Sequence, residues 1–273
     1  MAETPRTVLV TGATDGLGRA LAGTLASEGL RVLVHGRDPD RVAAAVEGVA
    51  AHGGPEPAGY VADFAALAEV RRLAAEVRRE QSRLDVLVNN AGIGPGPAGA
   101  QHRETSADGH ELRLQVNHLA AHLLTRELLP LLRASAPARV VHVASGAQRP
   151  VDLDDPMLER DYDGDRAYAQ SKLAMVADAL ALAEALDPAE VTVNALHPGS
   201  LMDTKIVRES FGRAQRPIDE GVAATARLVL DDDLAGVTGR FFNGTVEAAP
   251  APEARDPEAR AAVLALTAEL TGT

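Results

Sequence analysis

The chain contains no cysteine. Disulfides, thiolate nucleophiles and thiolate metal sites are therefore excluded together, which narrows the chemistry while saying little about compartment. Basic residues are scarce as well: 27 Lys and Arg stand against 39 Asp and Glu, a net charge of -12. Nucleic-acid binding rests on cations neutralising phosphates, and no basic stretch here escapes neighbouring acids, so no nucleic-acid partner is expected. Long apolar runs are missing too. Nothing approaches the ~20 apolar residues that span a bilayer, and the start Met1-Ala2-Glu3-Thr4-Pro5 lacks the basic-then-apolar layout of a secretory signal. A cytoplasmic protein with no membrane partner is expected. No His/Asp/Glu group has metal-ligand spacing, so no metal is expected either.

What is present is enough apolar residue to bury a full core in a chain of 273 residues, with no tether between comparable halves. Short β-rich runs alternate with stretches of helical period: Val8-Leu9-Val10, then Leu17 to Glu28, then Val32-Leu33-Val34, then Arg41 to Ala51. Asp38-Pro39 supplies an N-cap and first-turn proline for the second helix, and Asp63 is placed to cap a third helix running to about Arg79. A long amphipathic helix is expected from about Gly109 to Leu132, and another from Tyr168 to about Leu186. Val86-Leu87-Val88, Val140 to Val143 and Val191 to Leu196 read as buried strands. Continuous apolar strands separated by helices indicate a single-domain α/β fold, a doubly wound parallel sheet of Rossmann type with helices on both faces. Residues 1–245 form the expected nucleotide-binding catalytic domain, and 246–273 a C-terminal linker and short helix. Three stretches break the rhythm: Ile93 to Ala107, the acidic Gly146 to Asp165, and Gly199 to Pro217, which follows a strand without an obvious helix. All three come after strands, where a substrate pocket is built.

Thr11-Gly12-Ala13-Thr14-Asp15-Gly16-Leu17-Gly18 follows the first strand and opens the first helix. Glycines let the backbone turn sharply and approach a pyrophosphate, and a helix N-terminus offers unpaired N–H groups with partial positive charge. No lysine follows the last glycine, which excludes a P-loop. At the end of the second strand an NAD site carries an acid for the ribose 2'-hydroxyl, whereas NADP needs a cation for the 2'-phosphate. Here the chain reads His35-Gly36-Arg37, so NADP is favoured over NAD, with Asp38 placed to pair with Arg37.

Tyr168 and Lys172 stand four residues apart on a helix, which stacks them on one face. A tyrosine hydroxyl titrates near 10, and a cation held close lowers that value. Tyr60 and Tyr162, the other two tyrosines, have no lysine four residues on. Ser145, ending a strand, faces the same crevice and can hydrogen-bond a substrate oxygen. Asn117 sits inside a helix, where asparagine is intrinsically unfavourable. His142 and His197 read as strand-associated polar residues.

The spacing from Thr11 to Gly18 resembles the cofactor turn of the short-chain dehydrogenase/reductase family. Asn89-Asn90-Ala91-Gly92 resembles the motif closing the family's fourth strand, and Pro198-Gly199 its Pro-Gly loop. Ala167 to Ala174 and Phe241-Phe242-Asn243-Gly244 look like the retinol-dehydrogenase-like branch. The resemblance implies a catalytic tetrad of Asn117, Ser145, Tyr168 and Lys172, with Asn117 distorting its helix and holding a proton-relaying water. It implies cofactor contacts from Thr11, Gly12, Thr14, Asp15, Gly16, Leu17, Gly18, Arg37, Asp63, Asn90, Ala91, Gly92, Tyr168, Lys172, Pro198, Gly199 and Thr204, with Asp63 at the adenine and Thr204 at the carboxamide.

The activity so implied is NAD(P)-dependent hydride exchange with a carbonyl or alcohol carbon of a small organic substrate, with a homo-oligomer built on the helices bearing Asn117 and Tyr168. A catalytically silent nucleotide sensor or scaffold stays open beside it, as does an isomerase or dehydratase. Seven acids between Asp152 and Asp165, against Arg160 alone, favour a neutral or cationic substrate.

Overall fold

A computed structural model of the chain describes residues 4–97 and 102–273. Residues 1–3 of the N-terminal reading and residues 98–101 of the Gly/Pro-rich stretch lie outside that description. Among the described residues no helix is long and apolar enough to cross a membrane, and no group of three His, Cys, Asp or Glu could hold a metal.

Among the described residues eight strands form one sheet: β1 (Thr7–Val10), β2 (Arg31–Gly36), β3 (Ala58–Val61), β4 (Val86–Asn89), β5 (Ala138–Val143), β6 (Val191–His197), β7 (Phe241–Asn243) and β8 (Val246–Ala248). Their order is β3-β2-β1-β4-β5-β6-β7-β8, parallel throughout until β8, which returns antiparallel beside β7. The sheet is buried on both faces, which is why β1 and β4 read as unbroken apolar runs. Val8, Val10, Val86, Val88, Val141 and Val143 point into one core, and Leu9, Leu87 and Val140 into the other. That is the alternation a pleated strand imposes. At about 1.5–3 kcal/mol for each fully buried aliphatic side chain, these two layers supply the bulk of the folding drive.

Helices α1 (Gly16–Ser27), α2 (Pro39–Ala50) and α3 (Leu67–Glu80) follow the first three strands. Asp38 caps α2 as expected, accepting from Asp40 and Arg41 amides at 3.0 and 3.1 Å with Pro39 in the first turn. It is thereby committed to the helix, and no Asp38–Arg37 pair forms. The expected cap of α3 is different: Asp63 closes a local turn onto the Ala65 amide, and the Leu67 amide is taken at 2.8 Å by Asp108, 41 residues on. A cap supplied across the fold leaves no local trace in the sequence.

The helix expected from Gly109 begins at Leu112, after Gly109 turns with φ +84° and Glu111 accepts from the Leu114 amide. It runs as α4 (Leu112–Leu114), widens into a π turn over Gln115–Leu119, and continues as α5 (Ala120–Ala134). Helix α6 (Gly164–Ala185) is capped by Asp163, which accepts from the Arg166 amide at 2.7 Å. The stretch after Gly199 does contain a helix, α7 (Lys205–Phe211), capped by Thr204. Its seven residues are too few for a 3.6-residue period to show. Helix α8 (Asp219–Leu230) lies against α1. Beyond β8, α9 (Pro252–Arg255) and α10 (Pro257–Thr271) pack on α6.

Candidate active site

All parallel strands end on one rim, and the order reverses between β1 and β4, so the loops after these two strands diverge and leave a crevice between them. The glycine turn forms one wall. Gly12 and Gly16 adopt φ of +65° and +49°, and a Cβ on Gly18 would meet the Gly12 carbonyl oxygen at 2.3 Å. The turn is nailed to β4 by Thr11, whose hydroxyl donates to the Val88 carbonyl and accepts from the Asn90 and Ala91 amides at 2.9 and 3.0 Å. Asn90 answers by donating to the Thr11 and Gly12 carbonyls at 2.8 and 3.2 Å. Gly12 in turn donates to Nδ1 of His35, whose Nε2 bonds the Ala62 carbonyl. Burial lowers His35 to about 4, so the ring is neutral, with its proton on Nε2. The sequence reading overlooked this brace, because a lone histidine in a strand gives no sign of what lies across the sheet.

At the helix N-terminus Asp15 accepts from the Gly16 amide at 2.7 Å and pairs with Arg41 at 2.9 Å. Arg41, on α2, also reaches the Thr14 carbonyl. It was not among the expected site residues, since only the packing of α2 beside the turn brings it there. Arg37 is exposed and makes no hydrogen bond or ion pair to any described residue. A Cβ on Gly36 would lie 2.4 Å from the Thr14 methyl, so the position of the expected NAD acid has no room for a side chain. Asp63 is exposed at the end of β3. The first N–H groups of α1 have no partner within the helix, and with this close-approach backbone they suit a pyrophosphate.

The opposite wall carries Asn117, Ser145, Tyr168 and Lys172, the four residues of the expected tetrad. Lys172 is buried and donates through Nζ to the Val143 carbonyl at 2.9 Å, with Nζ 5.9 Å from the centre of the Tyr168 ring. Burial drops the ammonium from its ordinary 10.5 to about 8. The sequence predicted a Tyr168 lowered by the cation. In the free protein burial instead raises it, against an opposing hydrogen bond from Ser145. Ser145 also accepts from the Ala147 amide at 3.1 Å. Asn117 lies in the π turn, its amide spent on both backbone groups of Ile93 and on the Ser171 hydroxyl at 2.9 Å. The two walls meet at Asn90 to Gly92. A Cβ on Gly12 would touch Ala91 at 2.9 Å, and one on Gly92 would lie 3.1 Å from Asn117 Oδ1 and 3.6 Å from Lys172 Nζ.

Over the turn lies the segment after β6. Gly199, next to Pro198, takes φ +150°, and Thr204 sits 3.5 Å from where a Gly16 side chain would start. Its hydroxyl accepts from the Val207 amide at 3.3 Å. Arg113 was missed as well. Buried beside Glu111, it bonds the Gly94 and Pro95 carbonyls and the Tyr162 hydroxyl, fixing the loop after β4 to the acidic loop before α6. In that acidic loop Asp152 pairs with Arg166 of α6 and Asp155 with Arg160, while Asp163 caps α6.

Residues 6–214 match the family model for short chain dehydrogenases. Human retinol dehydrogenase 13 is 34% identical over 98% of this chain and 85% of its own length, and human retinol dehydrogenase 14 is 37% identical over 92% and 82%. Among solved structures, a short chain dehydrogenase from Salmonella enterica serovar Typhi superposes with a TM-score of 0.73 at 26% identity, covering 88% of this chain and 96% of that one. RhlG of Pseudomonas aeruginosa, solved as an NADP active-site complex, superposes at 0.69 with 30% identity, over 87% and 94%. The chain belongs to the short-chain dehydrogenase/reductase family, in its retinol-dehydrogenase-like branch, and is an oxidoreductase acting on CH–OH and C=O groups.

Proposed function

We propose that this oxidoreductase exchanges a hydride between nicotinamide C4 of NADP and the carbonyl or alcohol carbon of a small organic substrate, with Tyr168 as general acid and base. The observation that carries the reading is the convergence at Ala91-Gly92: a Cβ on Gly12 of the glycine turn would touch Ala91 at 2.9 Å, and one on the adjacent Gly92 would lie 3.1 Å from Asn117 Oδ1 and 3.6 Å from Lys172 Nζ. When bound, the nicotinamide ring supplies or accepts the hydride. The glycine turn and the first amides of α1 would hold the pyrophosphate, Asp63 the adenine, and Thr204 with Pro198 and Gly199 the carboxamide end.

NADP rather than NAD follows from the exposed, unengaged Arg37 and from the closed space at Gly36. The NADP complex of the 30%-identical RhlG supports the same choice. Tyr168 holds its proton at Oη in the free protein, since burial favours the neutral phenol, and that is the form reduction needs. Ser145 shares a hydrogen bond with that phenol and would steady the substrate oxygen as it gains negative charge. Lys172, charged below about pH 8, steadies the phenolate left behind. The cytoplasmic location and a preference for uncharged or cationic substrates belong to the same proposal. So does a homo-oligomer, whose interface would have to accommodate α9 and α10 already packed on α6.

The test is NADPH oxidation across a panel of ketones in wild type and Tyr168→Phe. Turnover in wild type and a loss of at least about 100-fold in the variant are expected, with NADPH still bound. Binding without Tyr168-dependent turnover would point to a nucleotide sensor.

A further inference from the structure

We propose that Gln148 is a positioning residue for Ser145, and that the C-terminal segment beyond β8 holds Ser145 in place through it. The inference rests on the roles given to Tyr168 and Ser145 above and gives that segment a part in them. The segment lies beyond residues 6–214, the part of the chain that matches the family model.

Ser145 stands past the end of β5, where the ladder stops. The Ala144 amide still donates to the Leu196 carbonyl of β6 at 2.8 Å, but Ser145 does not continue the pairing. Gly146 and Ala147 follow, both exposed, and glycine is the residue whose backbone costs most entropy to hold. Two bonds close this turn. The Ala147 amide donates to the Ser145 hydroxyl at 3.1 Å, and Gln148 Nε2 donates to the Ser145 carbonyl at 2.9 Å. The first engages the hydroxyl that would meet the substrate oxygen, and the second fixes the peptide plane directly after it. Next along the chain, the Arg149 amide donates at 3.2 Å to the carbonyl of Ala169, the neighbour of Tyr168. The turn is thus fastened to α6 on one side.

On the other side stands the C-terminal segment. Gln148 Oε1 accepts from the Ala251 amide at 3.0 Å, 103 residues away. Ala251 sits between Pro250 and Pro252, neither of which has an N–H, so its amide is the one backbone donor of that stretch. The two prolines also narrow the conformations open to it. Pro252 opens α9, which packs on α6 and whose Ala254 is fully buried. One segment therefore rests against the helix bearing Tyr168 and Lys172 while its amide reaches the side chain that holds Ser145. The residue type at 148 matters. Glutamine ends in one donor and one acceptor, and the carbonyl and N–H that face them fix the orientation of its amide. Leucine has neither group.

Steady-state reduction of a ketone that wild type turns over tests this in Gln148→Leu, which removes both bonds, and in Ala251→Pro, which removes the donor alone. Ala251 has φ −52°, a value that proline adopts. Each should lower kcat by at least about fivefold, with KM and NADPH affinity within about twofold of wild type, because a displaced hydroxyl loses contact in the transition state. In a Ser145→Ala background the same substitutions should change kcat by less than about twofold, since a residue acting through that hydroxyl has nothing left to position. Equal losses with and without the hydroxyl would mark a packing role and overturn the inference, as would wild-type kcat in Gln148→Leu. Wild-type kcat in Ala251→Pro beside a loss in Gln148→Leu would remove the C-terminal segment from it. If Ser145→Ala has no measurable turnover, the split decides: a fall in kcat alone supports the inference, and a rise in KM or a loss of NADPH affinity alongside it overturns it. Either variant carries the test if the other does not fold. Absence of Tyr168-dependent turnover in wild type would instead sink the parent reading, leaving Ser145 no step for Gln148 to serve.

Discussion

Lys172 pays for its burial in proton affinity, and the sign of the consequence is fixed. Its ordinary value of 10.5 falls to about 8 in the folded protein, so between these the unfolded chain binds more protons. From this group alone, stability rises with pH across about 8 to 10.5, and below about 8 the buried charge is a constant penalty. Replacing it in Lys172→Met should flatten that segment of the stability-against-pH curve, measured by urea unfolding without cofactor. The same deprotonation should make kcat/KM for ketone reduction fall above about pH 8. Arg37 gives a second prediction: Arg37→Ala should weaken NADPH binding by about tenfold or more while leaving NADH nearly untouched, read by fluorescence titration. Tyr168 and Lys172 were legible because a four-residue spacing survives in the sequence. Arg41 and His35 were not, since each acts on the glycine turn from an element 20 or more residues away whose packing decides the contact.

At the scale of elements, the long helix is notable for where it departs from α geometry. The π turn over Gln115–Leu119 brings the Asn117 side chain round to Ile93 and Ser171, so one local widening joins the loop after β4 to α6. One turn earlier, the Glu111–Arg113 pair fastens Gly94, Pro95 and Tyr162. Both side chains are at most 5% exposed, so removing one partner strands the other charge. Arg113→Met should cost about 3–5 kcal/mol in chemical unfolding, and KM for substrate should rise with it as the loops on either side lose their tie. Strand and helix positions were readable from period and caps. The start of α3 and the presence of α7 were not: Asp108 caps α3 from a distant loop, and α7 is too short to show a period.

The whole molecule divides its work by strand. In the proposed reading, strands β1 to β3 with α1 and α2 would hold the nucleotide, and β4 to β6 with α5 and α6 would carry the proton chemistry, the two meeting where β1 pairs with β4. The C-terminal helices close the second half from outside. His118 and Thr267 are nearly fully buried against each other, and Arg71 reaches the Thr271 carbonyl. Deleting residues 257–273 should lower the melting temperature by at least about 5 °C and promote self-association, checked by calorimetry and light scattering. The nucleotide half also constrains how this protein could change its preferred coenzyme. Thr14 fills the space that an aspartate at position 36 would need, so Gly36→Asp alone should merely damage the turn. A smaller residue would have to arrive at position 14 at the same time. Laboratory evolution that samples one substitution per generation would find that path closed, and a library pairing the two positions would find it open.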